Sequence, residues 1–105
     1  MKKIFERDIQ KQILDYLRLK KVFCRKINTT GIYKQATNSY IPSQNVGMVD
    51  IIAGKDGKCY GIEVKMGSNK QSDAQIGFQE EWERAGFTYI LAYSLDDIIN
   101  SGCFR

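Results

Sequence analysis

The stretch from residue 49 to residue 65 reads VDIIAGKDGKCYGIEVK. Two apolar runs flank the dipeptide Asp56-Gly57, which favours the tight turn of a β-hairpin because both residue types accept positive φ angles. In a two-residue hairpin with this turn, Asp50 lies opposite Glu63, and side chains alternate between the two faces of the strand pair. The stretch therefore predicts an antiparallel hairpin around which the rest of the chain is arranged.

The two faces of this hairpin differ in their chemistry. One face carries Asp50, Glu63 and Lys65. Two carboxylates directly opposite each other destabilise a sheet, since their β-carbons lie only about 5 Å apart. A divalent cation between them would remove the repulsion, and Mg²⁺ or Mn²⁺ favours oxygen ligands and needs few from the protein. The other face carries an apolar set fit for a core, which consists of Val49, Ile51, Ala53, Tyr60, Ile62 and Val64.

Two other interpretations of the hairpin stay open from the sequence. Its polar face can be a solvated surface on which two acids and a lysine form an ion pair. A bulge of one residue would also change the alignment and place Asp50 opposite Val64. The predicted closeness of the two carboxylates depends on the turn.

The remaining sequence predicts one mixed α/β domain over residues 1–105. Apolar periodicity predicts helices over 4–20, 72–85 and 95–100, with Gly86 ending the second one. Strands are expected at 22–27 and 88–93, and residues 28–47 form a long loop or a frayed hairpin. Phe78, Trp82 and Ala85 share one helix face and are expected in the core.

Composition excludes several classes of chemistry. The chain has no histidine, which excludes serine–histidine triads and histidine-based zinc sites. Three well-separated cysteines give neither a zinc spacing nor a complete disulfide framework, and are expected to fill the core. Nothing approaches the apolar run of about 20 residues that a membrane span needs, so we expect an intracellular, cytoplasmic protein.

Positive charge is concentrated in the first third of the chain. The net charge is +4, and the first 35 residues hold ten Lys or Arg against Glu6, Asp8 and Asp15. This imbalance suits a polyanionic partner such as nucleic acid, although a solvated helix face would show the same pattern.

The ordered set of polar residues resembles a known nuclease family. Asp50, a hairpin turn and Glu63-Val64-Lys65 match the pattern of the PD-(D/E)xK nucleases. With Gly47 before them and Ser72-Asp73-Ala74-Gln75 and Ala85-Gly86 after them, they resemble the virus-type replication-repair nuclease (VRR-NUC) domain. The resemblance runs from the helix start at Glu6 to the final strand. Val49 departs from it, since the family often has proline before the aspartate.

The resemblance implies a fold and a role for each matching residue. The fold would be the restriction-endonuclease-like α/β core, a mixed sheet flanked by helices. Asp50 and Glu63 would bind Mg²⁺ or Mn²⁺, with the backbone carbonyl of Val64 as a further ligand. Lys65 would position the attacking water. Glu6 would reach the metal directly or through water, and Gln75 would support the site from the following helix.

Two of these residues have a second interpretation. Gln75 stands three residues after Ser72, which is the spacing of a capping box at a helix start. Glu6 lies in the first turn of its helix, where the helix dipole favours an acid. For Gln75, both roles are compatible.

The resemblance also implies a substrate and an assembly. The chain would be a DNA endonuclease that cuts branched DNA such as a Holliday junction, acting as a homodimer without an organic cofactor. Its likeness to virus-type nucleases also implies a phage-encoded protein that acts inside a host cell. Two alternatives remain: a flap or strand-end nuclease, and, from a different class, a non-catalytic DNA-binding module. The segment 28–47 would serve as a substrate clamp or a dimer arm.

Overall fold

The computed structural model describes residues 3–27 and 46–105, together with the backbone of residues 32–34 and 39–41. The predicted order of helix, strand, hairpin, helix, strand and helix is confirmed. A short antiparallel pair lies within the segment 28–47, as the hairpin interpretation predicted. The elements in chain order are α1 (Glu6–Leu19), β1 (Phe23–Lys26), β2 (Ile32–Lys34), β3 (Ser39–Ile41), β4 (Ile51–Lys55), β5 (Lys58–Val64), α2 (Asp73–Arg84), β6 (Thr88–Ala92) and α3 (Leu95–Ser101).

Four of the strands form one mixed sheet in the order β1-β4-β5-β6. The neighbours β1 and β4 are antiparallel, as are β4 and β5, whereas β5 and β6 are parallel. The parallel pairing requires a crossover, which α2 provides between β5 and β6. The chain is therefore an α/β protein with a mixed sheet flanked by helices.

The hairpin of β4 and β5 forms at the predicted turn and in the predicted register. Asp56 has φ 53° and Gly57 has φ 77°, the pair of positive angles that a type I′ turn requires. The paired residues run from Lys55 with Lys58 to Ile51 with Ile62. The local chemistry of the turn thus fixes this part of the sheet.

The predicted pairing of Asp50 directly with Glu63 is wrong. The ladder ends at Ile51 and Ile62, and the amide of Asp50 donates to the same residue, the carbonyl of Ile62, at 3.0 Å. Two consecutive residues therefore oppose Ile62, which is the arrangement of a β-bulge. The sequence left open a bulge that would place Asp50 opposite Val64, whereas the bulge that forms sets Asp50 and Ile51 opposite Ile62.

The main core lies on the face of the sheet that packs against α1 and α3. Ile13 and Leu17 of α1 are completely buried, and burial of each contributes about 1.5–3 kcal/mol. An edge-to-face contact between the rings of Phe104 and Tyr60, with centroids 4.8 Å apart, fixes the C-terminal residues against the sheet. The core residues are Ile9, Ile13, Leu14, Leu17, Val22, Cys24, Ile51, Ala53, Tyr60, Ile62, Val64, Ala92, Ile98 and Phe104.

Val49 is buried but lies on the opposite face, which corrects its predicted place beside Ile51. A β-carbon added to Gly61 would meet Cγ1 of Val49 at 2.9 Å and Cε2 of Trp82 at 3.0 Å. Gly61 faces away from its neighbours Tyr60 and Ile62, and Trp82 belongs to α2. The bulge explains the change of face, because one extra residue reverses the alternation upstream of it.

Helix α2 covers this second face less completely than the sequence predicts. Phe78 and Trp82 stack with ring centroids 5.3 Å apart but are only partly buried, and Ala85 is exposed. The indole Nε1 of Trp82 donates to the carbonyl of Thr88 at 2.8 Å, which fixes α2 to β6. The helix ends at Arg84 and Gly86 has φ 93°, as expected of the residue that follows a helix.

Three further expectations concern the chain as a whole. All three cysteines are free, and Cys24 is buried in the core while Cys59 and Cys103 are partly exposed. Among the described residues, none of the helices has the length and apolar composition for crossing a membrane. The suggested role of segment 28–47 as a clamp or a dimer arm concerns side chains outside the described residues.

Candidate active site

Glu63 is an ionisable side chain inside the protein, with 2% of its surface exposed. It lies one residue before the end of β5 and shares the sheet face that packs against α2. Its Oε1 accepts a hydrogen bond of 2.9 Å from Nε2 of Gln75. Its Oε2 is also buried, and finds no hydrogen-bond partner among the residues that the structure describes. A buried carboxylate oxygen without a partner is costly, so this atom needs a proton or a cation.

The pKa of Glu63 reflects this environment. The pKa is raised from 4.5 to about 8, chiefly by burial and next by the negative charge of Asp50. The ammonium group of Lys65 acts in the opposite direction. Near neutral pH the metal-free carboxyl therefore holds a proton, which a divalent cation would displace.

Asp50 lies in the bulge and is oriented by the strand opposite. Its Oδ2 accepts a hydrogen bond of 2.8 Å from the backbone amide of Val64. Its own backbone carbonyl accepts from the amide of Ile27 at 2.8 Å, and its amide donates to Ile62. The bulge therefore brings the Asp50 carboxylate to the end of β5, close to Glu63, although the two residues are not paired in the ladder.

Lys65 and Glu6 complete the predicted group from two different elements. Lys65 follows β5, is half-buried, and its charge favours the ionised form of Glu63. Glu6 begins α1, and its negative charge raises the pKa of Glu63, which places the start of α1 near the site. Residues far apart in the chain thus act on one carboxyl group.

Gln75 has both of the roles that the sequence left open. Its backbone amide donates to Oγ of Ser72 at 3.2 Å, and its side-chain Oε1 accepts from the amide of Ser72 at 2.8 Å. This is a complete capping box at the start of α2. The remaining side-chain atom, Nε2, donates to Glu63, so the helix cap also orients the carboxylate.

The donor set suits a hard divalent cation. Within the described ranges, no three His, Cys, Asp or Glu side chains lie together as a complete metal cage. Mg²⁺ commonly binds one or two carboxylates and keeps several waters, so Asp50 and Glu63 are sufficient as its side-chain ligands. The Oε2 of Glu63, which has no partner among the described residues, is the atom that such an ion would satisfy.

The sequence did not identify a polar cluster on β6 and α2 beside these residues. Nε2 of Gln71 donates to the hydroxyl of Tyr89 at 3.0 Å and to Oε1 of Gln79 at 2.9 Å. The pKa of Tyr89 is raised to about 12, chiefly by burial, while the hydrogen bond from Gln71 lowers it and the charge of Glu63 raises it. Tyr89 pairs with Gly61 across a parallel ladder, a long-range relationship that no local sequence signal reveals.

Comparison with known proteins does not assign the chain to a family. Neither the protein-family models nor the curated proteins contain a match to this sequence. The assignment of a function therefore depends on the geometry of the residues themselves.

Proposed function

We propose that this protein is a metal-dependent deoxyribonuclease that hydrolyses phosphodiester bonds, with Asp50, Glu63 and Lys65 as its catalytic residues. The observation that carries the proposal is the buried Oε2 of Glu63, which lacks a partner among the described residues. Beside it lie a second carboxylate and an ammonium group, which both act on its pKa. These three side chains lie at the same end of the sheet. The two acids suit a cation, and the cation together with the lysine suits a phosphate.

Each residue has a distinct part in this proposal. Asp50 and Glu63 would hold Mg²⁺ or Mn²⁺, with the carbonyl of Val64 as a further ligand and Glu6 reaching the ion through water. The bound ion would stabilise the charge that develops on the phosphate oxygens. Lys65 orients the attacking water and lies against the same developing charge. Gln75 holds the Glu63 carboxylate in position from α2.

The reaction is an in-line hydrolysis. The oxygen of a water molecule forms a bond to phosphorus while the opposite phosphorus–oxygen bond breaks. The water gives up its proton to solvent, and the leaving alkoxide takes up a proton from solvent. The chain has no histidine, so none of its own imidazoles can carry these protons, and solvent takes that part.

The mixed sheet with helices on both faces is compatible with the restriction-endonuclease-like core. The order of Asp50, hairpin turn, Glu63-Val64-Lys65 and Gln75 resembles the VRR-NUC domain, and the structure brings these residues together. This support is geometric, since the comparisons leave the family open. We accordingly propose the PD-(D/E)xK superfamily, and within it the VRR-NUC type.

The proposed substrate is branched DNA, such as a Holliday junction, cut by a homodimer. One chain of 105 residues offers one such site, and a symmetric cut in two strands needs two copies related by a two-fold axis. The molar mass in solution, measured with and without junction DNA, tests the dimer. Cleavage of a flap or a strand end by a monomer is the alternative within this class.

The deciding experiment is cleavage of labelled linear, flap and four-way-junction DNA in Mg²⁺, Mn²⁺ or EDTA. We expect wild type to cut the junction with either metal, and EDTA to stop cleavage. Lys65→Ala should lower the rate at least about 100-fold, the loss typical of removing one charge-stabilising group. Lys58→Ala is the matched control, because Lys58 begins the same strand at its other end and is exposed.

Two outcomes would change the proposal. Binding of DNA without metal-dependent cleavage would favour a non-catalytic DNA-binding module. Equal losses in Lys65→Ala and Lys58→Ala would mean that lysine charge in general, and not the position of Lys65, supports cleavage.

A further inference from the structure

Two cations lie over an exposed aromatic ring at the start of α1. The ring of Phe5 is 37% exposed. Nζ of Lys3 lies 5.2 Å from the ring centroid, and Cζ of Arg7 lies 4.6 Å from it. These distances are those of cation–π contacts. We call this group of three residues the Phe5 platform.

The ring itself is not needed for the start of the helix. The backbone amide of Phe5 donates to Oδ2 of Asp8 at 2.8 Å, and its carbonyl accepts from the amide of Asp8 at 2.9 Å. These bonds involve only the backbone of Phe5, and its ring is not part of the buried core. The backbone of Phe5 is therefore fixed, and its ring is covered by the exposed side chains of Lys3 and Arg7, which a base and its phosphates can displace.

The platform lies next to the candidate active site. Phe5 immediately precedes Glu6, the first residue of α1. The helix ends shortly before Phe23, which pairs with Gly54 near the hairpin turn, so its start lies toward the other end of the sheet, where Asp50 and Val64 are. Consecutive Cα atoms are about 3.8 Å apart, so the backbone of Phe5 cannot be far from the residue that borders the site. The two cations add positive charge at the same place, where a nucleic acid backbone would need it.

We propose that the Phe5 platform stacks on an unpaired nucleobase of the DNA strand whose phosphate occupies the active site. Lys3 and Arg7 then contact the phosphates on either side of that base. This inference rests on the proposed nuclease function and names its substrate class: DNA with an unpaired nucleotide next to the scissile phosphate.

The geometry favours an unpaired base for a steric reason. Within a continuous duplex both faces of each base are covered by neighbouring bases, so a protein ring has no free face to contact. A branch point, flap or frayed end exposes such a face, and aromatic stacking on it does not depend on which base is present. The platform thus selects DNA structure without selecting sequence.

The test compares Phe5→Ala with the conservative Phe5→Trp. The matched control is Phe23→Ala, because Phe23 is 56% exposed and carries Arg25 over its ring at 4.7 Å. Phe23 pairs with Gly54 near the hairpin turn, at the opposite end of β4 from Asp50. It therefore reproduces the chemistry of an aromatic–cation pair away from the site.

Binding is measured in EDTA with DNA that carries 2-aminopurine, a base whose fluorescence falls when it stacks, at an unpaired position by the branch. We expect quenching with wild type, Phe5→Trp and Phe23→Ala, and none with Phe5→Ala. The affinity of Phe5→Ala for this DNA should fall at least about fivefold, the lower limit for one stacked base. Its affinity for continuous duplex should not change.

Each failure has a separate meaning. Quenching by Phe5→Ala equal to that by wild type, or an equal loss in Phe23→Ala, overturns the platform. If wild type cleaves no DNA in either metal, the nuclease proposal fails, but the binding experiment still decides whether Phe5 stacks on an unpaired base. If wild type cleaves branched DNA, and Phe5→Ala binds it with the same affinity and cleaves it at the same rate, the stacking proposal is wrong and the nuclease proposal stands.

Discussion

Replacing Glu63 with glutamine should make the metal-free protein more stable and remove its proposed activity. The substitution keeps the shape of the side chain, and its oxygen can still accept the hydrogen bond from Gln75. It removes an ionisable group whose pKa is raised from 4.5 to about 8, first by burial and then by the charge of Asp50. The folded wild type therefore binds more protons than the unfolded chain between these two pH values.

The sign of the effect follows from this difference. Because the folded state holds the extra proton, the stability of wild type is greatest below pH 4.5 as far as Glu63 is concerned. It falls as the pH rises to about 8 and is constant above that value. A pKa that rises from 4.5 to about 8 on folding corresponds to at most about 5 kcal/mol. Since the folded protein relaxes around the ionised Glu63 carboxylate and water reaches it in part, we expect a measured difference of about 2–3 kcal/mol.

Urea unfolding of both proteins in EDTA, from pH 4.5 to pH 9, measures this quantity directly. The free energy of unfolding of Glu63→Gln should be close to that of wild type near pH 4.5 and exceed it by about 2–3 kcal/mol at pH 8. Glu80→Gln is the matched control, because Glu80 is exposed on α2 and should shift stability by less than about 0.5 kcal/mol at every pH. A difference for Glu63→Gln that does not change with pH would refute the reasoning.

Added metal should remove most of the stability difference between the two proteins. A ligand at 100 times its dissociation constant stabilises the folded state by about 2.7 kcal/mol. Wild type at pH 8 should gain about this much from Mn²⁺, and Glu63→Gln should gain much less because it lacks one of the two carboxylate ligands. Equal stabilisation of both proteins would show that the cation binds elsewhere.

Two further pairs of variants separate the support of the site from its chemistry. Gly47→Ala should destabilise by about 2 kcal/mol or more, because Gly47 has φ 82° and an added β-carbon would lie 2.5 Å from a backbone oxygen of α2. Gly77→Ala should instead stabilise by about 0.5–1 kcal/mol, since its β-carbon meets nothing; thermal melting would show both, and equal shifts would contradict the steric argument. Ser72→Ala should cost about 1 kcal/mol of stability without changing Mn²⁺ affinity. Gln75→Ala should lower that affinity at least about tenfold as well, because it also leaves Glu63 without its donor; calorimetric titration that gives one affinity for both would assign Gln75 to the cap alone.

The parts of the fold that depend on local chemistry could be predicted from the sequence. Asp56-Gly57 specifies its turn because both residues accept positive φ, and the turn then fixes the register as far as Ile51. The capping box at Ser72 and Gln75 is equally local. These features need only residues within four positions of each other, so their patterns are visible in the sequence.

The parts that depend on tertiary contacts could not be predicted in the same way. Trp82 is only partly buried. The spacing of apolar residues along a helix is the same whether its face is partly or fully buried, so the sequence predicted a deeper packing of α2 than the structure has. The pairing of β6 with β5 brings Tyr89 near the site across a crossover that no local pattern specifies. The sequence predicted that Asp50, Glu63 and Lys65 lie together. It predicted this from direct pairing of the two acids, whereas the structure has a bulge at Asp50.

The bulge at Asp50 replaces direct pairing with an arrangement in which both carboxylates are held by protein donors. Oδ2 of Asp50 accepts from the amide of Val64, and Oε1 of Glu63 accepts from Gln75. Each acid is therefore oriented without a cation, and their repulsion is retained in the folded state as the raised pKa of Glu63. A fold selected for stability alone would place an amide or an apolar residue at position 63. Retaining a buried acid beside a second acid is reasonable where a bound cation relieves the repulsion, so the same group should limit stability and support function.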